Sequence, residues 1–334
     1  MAKDKVIYGR LRVDIYTIGY VPEGESIIFV IYSGSDPLYV GVIDSYEKDN
    51  INYTQKWLDK LGITQINMLC WSHPDSDHSK GFDKLFKFLD SNSVFVIPSN
   101  VVEYRDKIEG QFHDIWEFIN NEQLTPKAQK AKKYVPINCH IQYVAENTYI
   151  CNLPCLYFVY GITKYQFSLR SFLPISQNTY IGEFNDKNME ENGFSVGLLL
   201  QIGEFCAIFA SDCHDNYIKR IDQLHFSDYC DFLKIPHHGS KTSTKIIDRF
   251  STAISAGYNI TVASVTKKTV KLPNDDAIRQ YKKGCDNILY TDEIPSGNNY
   301  GISIVSVDIT DKKFDYKYDF EGNAGFKFQK ATSD

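Results

Sequence analysis

Apolar and polar residues alternate or cluster in many short segments of the chain, in the patterns that predict β-strands. Residues 13–43 are rich in β-branched and aromatic side chains, and the turn sequences Pro22-Glu23-Gly24 and Gly34-Ser35-Asp36-Pro37 interrupt them, which predicts antiparallel strands. Apolar positions at helical spacing predict helices at 52–61 and 275–283. Further strands are predicted at 66–71, 94–98, 156–160, 166–173, 195–202, 205–210, 232–235, 260–265, 288–290 and 302–307. This mixture of strands and helices is typical of an α/β protein.

The chain has 334 residues, of which 43% are hydrophobic, so it is long enough to bury a large core. It contains no visible internal repeat, and we predict a single domain over 1–334. Residues 101–150 stand apart because their first part, to residue 135, is polar, rich in lysine and mostly helical in pattern. We therefore predict that 101–150 is an insertion or a lid within that domain.

The charge balance restricts the class of partner. The chain carries 36 Lys and Arg against 42 Asp and Glu, for a formal net charge of -6. This balance argues against a protein that coats nucleic acid through bulk charge. A local basic groove remains an alternative, with Lys267, Lys268 and Lys271 among its candidates, but we interpret these lysines as a solvated surface.

The same sequence bears on location. No stretch approaches twenty consecutive apolar residues, and no signal-like apolar segment follows the initial Met-Ala-Lys-Asp-Lys. The eight cysteines are scattered and form no Cys-x-x-Cys pair, as expected for reduced thiols. We therefore expect a cytoplasmic protein without a membrane-spanning segment.

The strongest chemical signal is the segment His73-Pro74-Asp75-Ser76-Asp77-His78, which directly follows a predicted buried strand. It places two imidazoles and two carboxylates within six positions. Crowded carboxylates raise one another's pKa, whereas a divalent ion keeps them ionised. Mixed nitrogen and oxygen ligands suit zinc or manganese, and the loop has no cysteine of the kind that closes a structural zinc site.

Two later segments supply matching side chains. Asp212 and His237 each follow a predicted strand, where ligands can reach one edge of a layered fold. Six donors shared between two divalent ions would leave positions open for water. A water that bridges two ions is deprotonated near neutral pH and attacks carbon or phosphorus centres.

These residues resemble a known signature. The segment from His73 to His78 is similar to the HxHxDH motif of the metallo-β-lactamase superfamily, in its HxDxDH variant. Ser211-Asp212 resembles the bridging aspartate of that superfamily, and Leu233-Lys234-Ile235-Pro236-His237-His238-Gly239-Ser240 resembles its late histidine segment. The variant, combined with His-His-Gly-Ser-Lys-x-Ser, is most similar to the soluble domain of the DNA-uptake channel protein ComEC and its stand-alone relatives.

The resemblance implies a fold and a set of roles. The fold would be an αββα sandwich, the metallo-β-lactamase fold, with the mostly helical insertion described above. The implied metal ligands for two divalent ions are His73, Asp75, Asp77, His78, Asp212 and His237. His73 and Asp75 would hold one ion, Asp77 and His78 the other, and Asp212 would bridge the two.

The late histidines leave alternatives open. His237 would complete the shell of the second ion, but His238 could be that ligand instead, or the acid that protonates the leaving group. We take Asp77 and His238 as the catalytic candidates. Candidates for substrate binding are Ser240, Lys241, Ser243 and Asn192, although the first three would equally suit a polar turn that caps the next helix and Asn192 would suit a turn ahead of a strand.

The sequence departs from the family at two positions. Many members have a further histidine between the signature and the bridging aspartate, whereas His113 and His140 are the only histidines in that interval here and neither follows a convincing core strand. The first ion site is therefore expected to be poor in ligands. The His-Pro expected near the C-terminal helix is Leu272-Pro273 in this chain.

The predicted function is a metal-dependent phosphodiesterase or nuclease, because the closest resemblance is to a domain implicated in DNA degradation. The fold does not decide among substrates. A hydrolase of small molecules or nucleotides is the nearest alternative, and a regulatory metal-binding module without turnover is the second. A protein partner that docks on 101–150 is a third possibility that the sequence leaves open.

Overall fold

The structure is a computed structural model. It describes residues 5–8, 10–108, 112–122, 139–150, 156–160, 163–174, 191–221, 229–255, 260–294, 297–309 and 314–330.

The strands have the following bounds in chain order: β1 Lys5–Tyr8, β2 Leu11–Tyr20, β3 Glu25–Ser33, β4 Asp36–Ile43, β5 Glu47–Lys48, β6 Ile51–Asn52, β7 Met68–Cys70, β8 Val94–Pro98, β9 His140–Val144, β10 Thr148–Tyr149, β11 Leu156–Tyr160, β12 Thr163–Leu173, β13 Gly197–Ile202, β14 Phe205–Phe209, β15 Phe232–Lys234, β16 Ile260–Ser264, β17 Cys285–Tyr290, β18 Tyr300–Ile309, β19 Phe314–Gly322 and β20 Gly325–Gln329.

The α-helices are short: α1 Tyr53–Lys60, α2 Ser76–Ser79, α3 Arg105–Ile108, α4 His113–Glu122, α5 Asp215–Ile218, α6 Ser251–Ser255 and α7 Asp275–Tyr281. Single-turn or slightly longer 3₁₀ helices lie at Phe82–Phe88, Ser99–Tyr104, Glu191–Phe194, Pro236–Gly239, Ile247–Phe250 and Lys268–Val270. Within the described residues, none of the helices is long and apolar enough to cross a membrane.

Two large mixed sheets contain nearly all the strands. One has the order β1-β11-β12-β13-β14-β15-β16-β17-β20, with β10 paired to β12, and the other has the order β19-β18-β2-β3-β4-β7-β8-β9. The run β14 to β17 is parallel in the first sheet, and the run β4, β7, β8, β9 is parallel in the second. Strands β5 and β6 form a small separate hairpin. The mixed α/β class predicted from the sequence is confirmed.

The two large sheets pack face to face. Phe29 of β3 stacks on Phe209 of β14 with ring centroids 5.2 Å apart, inside a core to which both sheets contribute. Gly41 on β4 makes room for this stack, because a Cβ there would lie 2.2 Å from the Phe29 ring. Helices α1 and α4 cover the outer face of one sheet, and α7 covers that of the other. Strands with both faces covered explain the nearly continuous apolar runs.

The segment predicted to be an insertion contributes to these layers where the structure describes it. Phe118 of α4 stacks on Phe86 with centroids 3.9 Å apart, and the buried Trp116 contacts Trp71 with centroids 5.8 Å apart. Strand β9 pairs with β8 and extends the eight-stranded sheet. Residues 123–138 lie outside the described residues, so a lid remains a prediction, as does the single domain over 1–334.

The topology brings several chain segments to one edge of the sandwich. Strands β4, β7, β14, β15 and β16 belong to parallel runs, so their carboxyl ends point the same way within each sheet. The two edges meet where Ser211 Oγ, after β14, donates to Ser72 Oγ, after β7, at 2.8 Å. The polar residues predicted to bind metal follow these strand ends.

Candidate metal centre

The loop after β7 is folded tightly on itself. The buried Trp71 Nε1 donates to Ser79 Oγ at 2.8 Å, and Ser79 Oγ donates to the Asp75 carbonyl at 2.7 Å. Asp75 is the N-cap of α2, and its Oδ1 accepts from the Ser76 amide at 2.7 Å. This closed loop turns His73, Asp77 and His78 inward, where each is at most 1% exposed.

Asp44 fixes the orientation of the loop through contacts with Ser72 and His78. It lies at the end of β4 with φ +59°, a conformation that aspartate tolerates better than most residues. Its carboxylate accepts from the Ser72 amide at 2.8 Å and from Ser72 Oγ at 2.6 Å, and it contacts His78 Nδ1 at 2.7 Å. A histidine held by a carboxylate at one nitrogen presents the other nitrogen as a ligand. The Nε2 atom of His78 is therefore directed into the site.

The second sheet contributes Asp212 and His238. His238 Nε2 lies 3.3 Å from Asp77 Oδ2 and 3.3 Å from Asp212 Oδ2, and His78 Nε2 lies 3.5 Å from Asp212 Oδ1. The backbone at His237 and His238 has φ values of +47° and +51°, and Ser211 has +44°. Left-handed conformations at residues other than glycine are strained and concentrate at functional sites.

A buried ion pair between Lys234 and Glu25 lies on the Nδ1 side of the His238 ring. Lys234 Nζ lies 2.5 Å from Glu25 Oε1, and both side chains are at most 1% exposed. Glu25 Oε2 lies 3.4 Å from His238 Nδ1, and Lys234 Nζ lies 3.7 Å from Asp212 Oδ1. Lys234 therefore offsets part of the negative charge that Glu25 and Asp212 bring into the interior.

The donor atoms of this cluster suit a metal ion. Glu25, His78, Asp212 and His238 form one buried group whose ligand atoms lie within 4.8 Å of one another, and Asp44, His73 and His78 form a second. Within the described residues, several buried atoms at the centre make no hydrogen bond: Nε2 of His73, His78 and His238, Oδ1 of Asp77, and Oδ1 of Asp212. Buried polar atoms without partners are costly, and divalent cations bound between them would provide the missing partners.

Electrostatics divides the histidines into two kinds. Burial, together with the neighbouring His78, lowers the pKa of His73 to about 3. Burial opposes the charged form of His238 too, but the carboxylates of Asp212 and Asp77 outweigh it and raise its pKa to about 9. The pKa of His78 is raised well above its usual value by Asp212 and Asp44 against the same desolvation. The cluster thus attracts positive charge where carboxylates converge.

The histidines also shift the pKa values of the carboxylates around them. Desolvation acts to raise the pKa of Asp77, but contact with His238 and the charge of His78 lower it overall. The charges of His238 and His78 likewise hold the pKa of Asp212 well below its usual value despite complete burial. Asp75 differs, because burial and the nearby Asp77 raise its pKa. Asp77 and Asp212 are therefore ionised at neutral pH and could each offer a charged oxygen to a cation.

The structure separates the two late histidines. His238 lies in the cluster, whereas the His237 ring stacks on His214 with centroids 4.6 Å apart. Burial lowers the pKa of His237 to about 4. Asn192 Nδ2 lies 3.3 Å from His214 Nε2, so this candidate substrate contact lies beside the stacked pair. The prediction of His237 as a ligand stays a prediction, but the geometry favours His238.

The other candidates for substrate binding differ in exposure and in contacts. Ser240 Oγ accepts from the Thr242 amide at 3.3 Å, as in a polar turn. Lys241 is 64% exposed and pairs with Asp276 at 3.2 Å. Ser243 is buried, and its carbonyl accepts from Tyr281 Oη at 2.6 Å. Ser240 thus belongs to a polar turn, but the next helix, Ile247–Phe250, has Ile246 at its N-cap without a side-chain capping bond, so none of the three residues caps it. Substrate binding by the three residues stays a prediction.

Lys267 is located differently from the solvated surface position that we predicted for it. Its Nζ lies 2.6 Å from Asp77 Oδ2, and its side chain is only 17% exposed. Lys268, by contrast, is 54% exposed and pairs with Asp292 at 2.6 Å. The interpretation as a solvated lysine face is therefore wrong for Lys267, because the carboxylates of the centre draw its ammonium group inward.

Sequence reasoning assigned no role to four residues that shape this centre: Asp44, Glu25, Lys234 and Lys267. A signal was present for Lys234, since a lysine within the apolar run Phe232 to Ile235 must find a buried partner. Asp44 had the weaker signal of a carboxylate directly after a strand. Lys267 was considered only as a candidate for a local basic groove. Its contact with Asp77, and that of Glu25 with Lys234, could not be predicted because the partners are far apart in the sequence.

Comparisons with known proteins do not place this chain in a family. A scan against protein-family models and a search of curated proteins both give no match.

Proposed function

We propose that this chain is a metal-dependent hydrolase of phosphodiesters, most simply a nuclease, built on the metallo-β-lactamase fold. One observation carries the proposal. Nitrogen and oxygen atoms from three separate strand ends, on His78, Asp212 and His238, converge in the interior without hydrogen-bond partners among the described residues. The layer order of helix, sheet, sheet and helix supports the αββα assignment.

The proposal includes two divalent ions, zinc or manganese, in the roles that the resemblance implies, except that His238 takes the place of His237. Asp77, His78, Asp212 and His238 would hold one ion, and His73 with Asp75 would hold the other. When bound, such ions lower the pKa of water and stabilise negative charge on a reacting phosphate. A set of ionised carboxylates and imidazoles without cysteine suits exchangeable, catalytic metal better than a closed structural site.

The surrounding residues would keep these ligands in place during turnover. Asp44 orients His78, and Glu25 lies against the far nitrogen of His238. Both carboxylates are at most 1% exposed, so water does not compete for these contacts. A rigid set of ligands costs little reorganisation when charge develops on the substrate. His238 Nε2, between two carboxylates, is also the nitrogen best placed to hold a proton when metal is absent.

The test is hydrolysis of labelled single- and double-stranded DNA and RNA with added manganese or zinc. We expect the wild-type chain to cleave a polymer only with metal, and Asp212→Ala to lose this activity by a factor of about 10³ or more. Asp248→Ala, the same substitution at an exposed carboxylate, is the control and should behave as wild type.

The alternatives give different outcomes. Hydrolysis of a small chromogenic phosphodiester without cleavage of any polymer would replace the nuclease with a small-molecule hydrolase. Bound metal without any hydrolysis would overturn the enzyme and favour the regulatory module.

A further inference from the structure

The ammonium group of Lys267 contacts an oxygen of Asp77 that a metal ion would also bind. Lys267 Nζ lies 2.6 Å from Asp77 Oδ2, and the same oxygen lies 3.3 Å from His238 Nε2. Both Asp77 and His238 are assigned to the same ion in the proposed function. An oxygen that ligates zinc lies roughly 2.0–2.2 Å from it. A divalent ion bound to Asp77 Oδ2 would therefore lie close to the Lys267 ammonium group on the same oxygen, and the two positive charges would repel each other.

The backbone of Lys267 is fixed beside the centre. The Lys267 amide donates to the Leu272 carbonyl at 3.1 Å, and the Leu272 amide donates back at 3.0 Å. The Thr266 amide donates to Thr291 Oγ1 at 3.1 Å, and the Lys268 amide donates to the Pro22 carbonyl at 2.7 Å. The four-carbon side chain is the only part of Lys267 that can move without breaking these bonds. Its ammonium group can leave Asp77 but stays near the mouth of the centre.

The charges around Lys267 explain why it lies there. Asp77, Asp75 and Asp212 all act on its ammonium group, and Lys234 is already paired with Glu25. Without metal, Lys267 therefore pairs with Asp77. Once a divalent ion binds Asp77, Lys267 loses this partner and needs another anion, because a lysine that is 17% exposed is only partly hydrated.

We propose that Lys267 competes with a divalent ion for Asp77, and that a singly charged phosphodiester relieves this competition by pairing with the displaced ammonium group. The inference rests on the proposed function, because it takes Asp77 as a metal ligand. Metal and phosphodiester then bind cooperatively, and linkage requires each to tighten the other by the same factor. The competition between Lys267 and the ion thus weakens metal binding until the anionic substrate is present.

The experiment is calorimetric titration of Mn²⁺ into metal-free protein, with and without saturating dimethyl phosphate as the singly charged diester. We expect Lys267→Met to bind Mn²⁺ about tenfold more tightly than wild type in the absence of diester. Dimethyl phosphate should tighten Mn²⁺ binding about fivefold or more in wild type and by a clearly smaller factor in Lys267→Met, where only direct attraction between the ion and the phosphate remains. Lys268→Met, at the exposed neighbour, is the matched control and should behave as wild type.

Three outcomes separate the claims. Equal or weaker Mn²⁺ binding by Lys267→Met, in a variant whose thermal unfolding shows a folded protein, overturns the competition. Coupling to dimethyl phosphate that is as strong in Lys267→Met as in wild type overturns the assignment of the anion to this lysine. If wild type cleaves phosphodiesters with Mn²⁺ but shows either result, only this inference fails, whereas absence of Mn²⁺ binding by wild type and Lys267→Met removes the proposed function itself.

Discussion

Replacing Asp44 by asparagine tests how the fold prepares His78 for metal. Asparagine keeps the size of the side chain and tolerates the φ of +59° at this position. Its single amide oxygen can still accept from the Ser72 amide, but an NH₂ group replaces Oδ2, the oxygen that contacts His78 Nδ1 at 2.7 Å and accepts from Ser72 Oγ at 2.6 Å. The new NH₂ group and the protonated His78 Nδ1 are both hydrogen-bond donors, so they would repel each other. His78 can avoid this only by carrying its proton on Nε2 instead, and a protonated Nε2 cannot bind metal.

The size of the effect follows from that contact. Removing an outer partner of a ligating histidine typically weakens metal binding by about 10- to 100-fold, or roughly 1.4–2.8 kcal/mol. We expect a loss of this size for Asp44→Asn in a titration with Mn²⁺. Asp14→Asn, at a buried carboxylate on β2 that accepts from Tyr16 Oη at 3.3 Å, is the control and should retain wild-type affinity. A wild-type Kd in folded Asp44→Asn would refute the orienting role.

Three further predictions concern stability. Lys234→Met should lower the free energy of unfolding by about 3–5 kcal/mol in urea titrations, because it leaves the Glu25 charge buried without its partner; the double variant with Glu25→Gln should recover most of the loss, and no recovery would contradict the pairing. Phe29→Ala should cost about 3–5 kcal/mol by removing the stack on Phe209, and a cost below about 1 kcal/mol would contradict the packing between sheets. The pKa of His238 is raised to about 9, so in metal-free protein its stabilising contribution is complete below the unfolded value near 6.5 and is lost as pH rises to 9. Melting temperature should therefore fall more steeply over this window in wild type than in His238→Gln, and equal slopes would contradict the shift.

The part of the site that is local in sequence was predictable. The spacing of His73, Asp77 and His78 after an apolar strand fixes a short loop, and a short loop between a buried strand and a helix can only keep these side chains close together. Strand ends at Asp212 and at the late histidines were also predictable, because parallel strands deliver their carboxyl ends to one edge.

The remaining features depend on backbone conformation and on distant partners. Which of His237 and His238 points into the cluster depends on the positive φ values at these two successive residues, and the side-chain pattern does not predict such values. Lys267 follows β16 and meets Asp77 only because the two sheets share an edge. The two terminal strands β19 and β20 were not predicted, although β19 alternates aromatic and charged residues, a pattern typical of a half-buried strand.

The most direct test of the central claim is the location of bound metal. Crystals grown with MnCl₂ should show an anomalous scattering peak within coordination distance of His78, Asp212 and His238, and the peak should be lost in His238→Gln. No peak at these atoms with saturating Mn²⁺, or a peak that persists without the His238 imidazole, would contradict the assignment of this cluster as a metal centre.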